Sequence, residues 1–206
     1  MYIALEGLKG SGKSTLIERL EKEFLEKEKI EYSLMKQTKK YDNYSLIEKA
    51  FEKYSFLKDN SFFRAIVYAR RAYVAAKKTN WNSQLILGDR SIITSYITRW
   101  RKWFNSPKLT VLFVNIVEPF MHSPDVIIFL QVSIENLLRR MEKRGIFDID
   151  SSVQRLKTMD NAYSEIGTYK IKKTRQIKWI YVDGNKTEDE VFDETCKIIL
   201  DCLDEN

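Results

Sequence analysis

Histidine occurs once in this chain, cysteine twice, proline three times and glycine seven times, and each scarcity removes a class of explanation. The single histidine, His122, leaves little room for a histidine-based triad and reads as a loop residue. No Cys/His spacing suits a metal site. Cys196 and Cys202 fall on the last helical segment, on different faces, and reduced thiols there fit a cytoplasmic setting. Scarce glycine and proline leave no long flexible linker, and no internal repeat is visible. The longest apolar runs, such as 126–130 (VIIFL), are strand-sized and far too short to span a bilayer. The N-terminus enters a strand pattern directly, without a charged-then-apolar leader. The 206 residues are expected to form one domain over 1–206.

Charge is abundant but mixed. The net charge of +6 could mean nucleic-acid binding or small anionic substrates. Basic and acidic residues alternate over most of the chain, as on a solvated helical surface. Two places are locally basic: 36–40 (KQTKK), and Arg139-Arg140 with Lys143-Arg144. Both follow predicted strands, where phosphates bind in α/β folds. Small anionic substrates are therefore expected, with no stable nucleic-acid partner and no membrane.

What is present in full is a phosphate-binding loop. Residues 7–15, GLKGSGKST, match G-x-x-x-x-G-K-[ST] at every position. A short apolar strand, 2–6, precedes them, and Leu16, Ile17, Leu20 and Phe24 recur at helical spacing behind them. Glycines allow the backbone to curl its N–H groups around an anion, and the helix N-terminus adds partial positive charge. Gly7, Lys9, Gly10, Ser11, Gly12, Lys13, Ser14 and Thr15 are expected to hold ATP. Lys13 is expected on the β- and γ-phosphates, and the Ser14 hydroxyl on Mg²⁺.

The rest of the chain alternates strand and helix. Strands are expected at 31–35, 84–88, 125–132 and 179–182. Helices are expected to about 29 and at 44–57, 61–79, 92–104, 109–120, 134–143 and 153–172, with a final helix to the C-terminus. Short continuous apolar strands between helices imply a parallel sheet covered on both faces. The fold class is α/β: a P-loop kinase three-layer α/β/α sandwich with a five-stranded parallel sheet and a helical lid, about 139–152.

Three further constellations carry chemistry. Asp89 and Arg90 stand at the end of the third strand, where a carboxylate can hold Mg²⁺ and an arginine can grip an acceptor phosphate. Arg71 lies on the helix 61–79 beside Arg70; adjacent positions diverge by about 100° around a helix, so Arg70 reads as the solvated one. Phe63 and Tyr68 on that helix could stack on a base. Arg140 and Arg144 could close over the triphosphate from a basic lid and stabilise charge on the transferred group.

In their order these motifs resemble the thymidylate kinase family of nucleoside monophosphate kinases. The quoted segments are the opening 3–15, Tyr68–Ala72, Asp89-Arg90 with Thr94, Pro124-Asp125, the lid arginines, and 181–184 (YVDG). The resemblance implies ATP-dependent phosphorylation of a deoxynucleoside monophosphate, dTMP to dTDP, by a homodimer. It implies catalytic roles for Lys13, Asp89, Arg90, Arg140 and Arg144, acceptor contacts from Lys36, Phe63, Tyr68, Arg71, Arg90 and Thr94, and a place for Asp183 beside the adenine. Three positions depart from the pattern: Lys9 stands where the family has an acid, 36–38 (KQT) replaces Arg-Glu-Pro, and Ser91 replaces a tyrosine. Asp89-Arg90-Ser91 also resembles the motif of deoxynucleoside kinases, which phosphorylate a 5′-hydroxyl. A nucleotide-binding protein without acceptor chemistry is a third reading. A hydroxyl acceptor generally needs a carboxylate base after the second strand, and no acid occurs there before Asp42. A monophosphate needs cations instead.

Overall fold

The structure is a computed structural model that describes residues 1–40, 46–99, 106–145, 152–168 and 177–205. Five strands are present among them: β1 (Tyr2–Glu6), β2 (Tyr32–Lys36), β3 (Leu85–Asp89), β4 (Val126–Gln131) and β5 (Lys178–Asp183). They form one parallel sheet in the order β2-β3-β1-β4-β5. In the centre, Leu5 stands opposite Asp89 on one side and Ile128 on the other. This register brings the loop after β1 level with the end of β3.

Alternation along the strands divides the core in two. Ile3, Leu5, Leu85, Leu87, Ile128 and Leu130 face one way. They pack on Leu16 and Ile17 of α1 (Lys13–Arg19) and on Val191 and Ile199 of α9 (Glu188–Asp204). Tyr2, Ala4, Ile86, Ile127 and Phe129 face the other way. There they meet α4 (Ser61–Lys78), α5 (Ile92–Arg99), α6 (Pro107–Val117), α7 (Ile134–Lys143) and α8 (Val153–Thr168). Helices on both faces satisfy strands that are apolar on both faces, giving the expected three layers.

Local chemistry sets the departures from expectation. The helix expected over 44–57 is two pieces, α2 (Leu46–Lys53) and α3 (Ser55–Asp59). They break at Tyr54, whose φ of −110° and ψ of 110° are extended. Next, Asn60 caps α4 by accepting from the N–H groups of Phe62 and Phe63. α6 starts earlier than expected because Ser106 caps it and Pro107 fits its first turn. α1 continues as a π-helical segment, Leu20–Leu25, which no sequence period announced. Of the expected lid, 139–145 and 152 are described; 146–151 lie outside the described residues. Asp42 does too.

Candidate active site

Two cavities open beyond the carboxyl ends of the strands, on either side of the glycine loop. The loop's shape depends on left-handed backbone. Gly7 has φ +143°, and a Cβ there would lie 2.8 Å from the Leu130 carbonyl oxygen. Gly12 has φ +98° with open space around it, so its requirement is conformational alone. It caps α1, whose first residue is Lys13.

Lys13 is buried and curls back over its own loop. Its Nζ donates to the carbonyls of Gly7 (2.9 Å) and Leu8 (2.8 Å) and to Ser11 Oγ (2.9 Å). Burial and then the charge of Arg90 push its ammonium down to about 7, against the opposing pull of Asp89 and Glu6. A phosphate arriving there would stabilise the charged form that burial disfavours. Ser14 and Thr15 are exposed at the start of α1.

The smaller cavity, about 130 Å³, lies on the α1–α9 side. Ser11, Gly12 and Thr15 line it together with Arg140, Arg144 and Gly184. Arg140 straps the two walls: its Nη2 donates to the Gly184 carbonyl at 2.8 Å and its Nη1 reaches the Ser11 carbonyl at 3.5 Å. Asp183 is absent from the lining. Its carboxylate accepts from the Asn185 N–H (2.9 Å) and Nδ2 (2.8 Å), bonds that hold its carboxyl below the usual range. Its turn delivers Gly184 and Lys186 to the cavity instead.

The larger cavity, about 280 Å³, lies between α4, α5 and α8. Five cationic side chains line it, Lys9, Arg64, Arg90, Arg99 and Arg155, with no carboxylate among the lining residues. Tyr68, Ala65 and Met159 add aromatic and apolar surface, and Gln37, Thr94 and Ser95 add neutral polar groups. Arg90 adopts φ +71°, rare for a residue with a side chain, and its Nη1 reaches Thr94 Oγ1 at 3.4 Å. Lys9, expected with the ATP-binding loop, faces this second cavity.

Glu6, the last residue of β1, is fully buried. It accepts from the Ser91 N–H, Ser91 Oγ, Thr94 Oγ1 and the Tyr163 hydroxyl, each at 2.8 Å. Those donors saturate it, so it serves as a tie between β1, α5 and α8 rather than a base open to a ligand. The same burial, together with Glu6, pushes the Tyr163 hydroxyl strongly up.

Three expected acceptor contacts lie elsewhere. Lys36 reaches Glu21 at 3.5 Å. Phe63 is exposed and meets Phe62 edge-on. Arg71 is held by the buried Glu48 of α2 through two bonds, Nε to Oε1 at 2.8 Å and Nη2 to Oε2 at 2.9 Å. Those hydrogen bonds lower the Glu48 carboxyl. Arg71 also reaches the Thr38 carbonyl at 3.4 Å and lies over the Tyr68 ring. It thus braces two residues of the cavity wall, Thr38 and Tyr68, from behind.

Sequence reasoning missed Arg64, Ser95, Arg99, Glu118, Arg155 and Tyr163. The spacing Ser91, Ser95, Arg99 marks a polar stripe at four-residue steps, beside a second one at Arg90, Thr94, Thr98, and that signal was available. Glu118, Arg155 and Tyr163 carry no local signal; the fold alone brings them in. For a divalent cation, the described residues contain no cluster of three or more metal-ligating side chains. Ser14, exposed at the start of α1, and Asp89, at the end of β3, offer a hydroxyl and a carboxylate, oxygen ligands of the kind that would suit a Mg²⁺ ion held mostly by phosphates and water.

Comparison with known proteins identifies the family and the fold. The deoxynucleoside kinase family profile matches residues 3–202. The chain is 23% identical over 197 residues to probable thymidylate kinase 1 of Saccharolobus solfataricus, covering 96% of this chain and 95% of that protein. It is 27% identical over 208 residues to a probable thymidylate kinase of Methanosphaera stadtmanae, covering 98% and 99%. Its fold is similar to that of deoxyadenosine kinase from M. mycoides with bound dATP, with a TM-score of 0.64 at 20% identity, covering 99% of this chain and 100% of the other. The structure of that enzyme with bound dCTP gives 0.63 at 19% identity, with all of both chains covered.

Proposed function

Because this chain belongs to the deoxynucleoside kinase family, and is thus a phosphotransferase with small nucleotide substrates, we propose that it phosphorylates a deoxynucleoside monophosphate from ATP, with dTMP as the acceptor. The observation that carries this reading is the larger cavity, lined by Lys9, Arg64, Arg90 and Arg155 beside Arg99, whose charge is matched by the buried Glu118, with no carboxylate in its lining. Two phosphates brought together repel, and cations offset that repulsion. A monophosphate oxygen is already an anionic nucleophile and needs no base. The side chain facing this cavity just after β2 is Gln37, a neutral amide. The choice of thymine is supported by the names of the relatives, all at low identity.

Roles follow from position. Lys13 leaves its loop carbonyls for the β- and γ-phosphates. Arg90, at the mouth of the acceptor cavity, holds the acceptor phosphate. Arg140, on α7, and Arg144, just beyond its end, line the smaller cavity and stabilise charge on the donor side. A Mg²⁺ ion held by Ser14 and Asp89 would neutralise charge on the donor phosphates. Arg71 acts through the wall, by fixing Thr38 and Tyr68.

A second reading, transfer to a nucleoside 5′-hydroxyl, is favoured by the family match and by Asp89-Arg90-Ser91. One assay separates them. ADP release is measured with ATP across the four deoxynucleosides and their monophosphates. The expected result is turnover of dTMP at least tenfold faster than thymidine. Faster thymidine turnover overturns the monophosphate reading, and no turnover of any acceptor leaves a nucleotide-binding protein.

A further inference from the structure

Behind the larger cavity runs a chain of buried polar groups that the proposed phosphoryl transfer does not use. It begins at Glu118, the fully buried residue that follows α6. Arg99 Nη2 lies 2.9 Å from Glu118 Oε1. The oxygens of a carboxylate paired with a guanidinium accept hydrogen bonds. Ser95 Oγ, 2.7 Å from Glu118 Oε2, therefore donates its one hydrogen there. Having donated, Ser95 Oγ accepts from Gln37 Nε2 at 2.8 Å. Arg99 also donates to the carbonyls of Ser95 and Ala65, which fixes the guanidinium in place.

The network therefore orients the Gln37 amide. Its Nε2 is committed to Ser95, and its Oε1 is left buried with no hydrogen-bond partner among the described residues. A buried acceptor without a donor is costly, and a ligand that brings a donor removes that cost. Gln37, Ser95 and Arg99 all line the larger cavity. The Gln37 backbone N–H lies 3.3 Å from the Asp89 carbonyl oxygen, so Gln37 sits at the end of the cavity next to Arg90. Tyr68, Ala65 and Met159 supply the aromatic and apolar surface that suits a base. A nucleotide with its phosphate on Arg90 and its base on that surface carries its sugar past Gln37.

We propose that Gln37 determines acceptor specificity by accepting, at Oε1, a hydrogen bond from the sugar hydroxyl of the acceptor, with Ser95 and Glu118 as positioning residues that hold the amide in register. The inference rests on the monophosphate reading, in which the 5′ oxygen is esterified and the 3′-hydroxyl is the donor that remains on a deoxyribose.

The test compares kcat/KM for dTMP and for its 3′-deoxy analogue. In the unaltered protein, loss of the hydroxyl should lower kcat/KM roughly tenfold, because the site's oxygen is then left unpaired. Gln37→Met should treat the two acceptors alike to within about twofold. Gln37→Glu, which still accepts, should keep the preference. Ser95→Ala should erode it by freeing the amide to turn, with KM moving more than kcat. The same preference in Gln37→Met as in the unaltered protein overturns the proposal, and so does the lack of any preference in the unaltered protein. If no monophosphate is turned over, the proposed function has failed separately. The ratio of Kd for dTMP and its analogue, read by calorimetry on the same proteins, then decides the role of Gln37 in the same way.

Discussion

The two cavities at the carboxyl edge of the sheet are built from different materials. The smaller is anchored on the glycine loop: Ser11, Gly12 at positive φ and the start of α1 form one wall, and the Gly184 carbonyl that Arg140 grips belongs to the other. The larger is built from side chains that arrive from distant parts of the chain, Lys9, Gln37, Arg64, Arg90, Arg99 and Arg155. A backbone site works with many sequences as long as its glycines stay. A side-chain site depends on each contributor and on the buried pairs behind it. Mutations should therefore act on the two cavities in different ways.

The largest effect is expected on the backbone side, at its one indispensable side chain. Lys13→Ala should lower turnover on the order of 10³-fold or more while circular dichroism and melting remain those of a folded protein. Near-normal turnover would show that the glycine loop holds phosphate without its lysine and would sink the kinase reading.

On the side-chain side, the supports should matter as much as the contacts. Arg71→Ala removes the guanidinium bonded twice to the buried Glu48 and should cost about 3 kcal/mol of stability, the low end for such a deletion because Arg71 keeps some contact with water and other cations still face Glu48. The exposed neighbour Arg70 should cost less than about 0.5 kcal/mol. Urea titration of both variants checks this, and equal midpoints would mean the pair contributes nothing to the wall. Arg90→Ala should come next, with acceptor kcat/KM lowered about ten- to a hundredfold and ATP affinity nearly unchanged. An equal loss of ATP affinity would mean the two cavities are one functional unit.

The smallest effect is a proton. The Lys13 ammonium, at about 7 in the folded protein, lies below its ordinary 10.5. The unfolded chain therefore holds more protons between those values, and Lys13 adds stability as pH rises through that window. Phosphate binding reverses the shift. Binding of ADP at about pH 8.5 should take up close to one proton, read by calorimetry in two buffers of different ionisation enthalpy. Lys13→Met should take up none.

The same contrast explains what could be read from the sequence. The strand–loop–helix around Lys13 was legible because its determinants are contiguous and its glycines have a conformational reason. The sheet was legible because its strands are short apolar runs separated by helices. Arg90, Tyr68 and Thr94, expected at an acceptor, line the larger cavity. Arg140 and Arg144, expected over a triphosphate, line the smaller. Arg71 was found as a residue, but its partner Glu48 stands 23 positions away on a helix whose docking no local pattern fixes. Asp183 lost its expected place to its own turn, where Asn185 offers two donors at no entropic cost of long reach. The relay from Glu118 to Gln37 joins three elements, and its logic depends on hydrogen directions that composition and period do not carry.

Position 90 is caught between two demands that no single amino acid meets. Its backbone, at φ +71°, asks for glycine. Its carbonyl takes the Tyr2 hydroxyl at 3.5 Å and its N–H bonds the Leu5 carbonyl at 3.2 Å, so the chain cannot relax there without disturbing β1. Its side chain lies beside Tyr163, Glu6 and Asp89, and the acceptor-phosphate role proposed for it suits the fork of a guanidinium. Glycine would relieve the strain and forfeit the charge; lysine would keep the charge, bear the same strain and lose the fork. Arginine at this site is thus a local compromise of folding in favour of chemistry, and sequence drift away from it is closed in both directions.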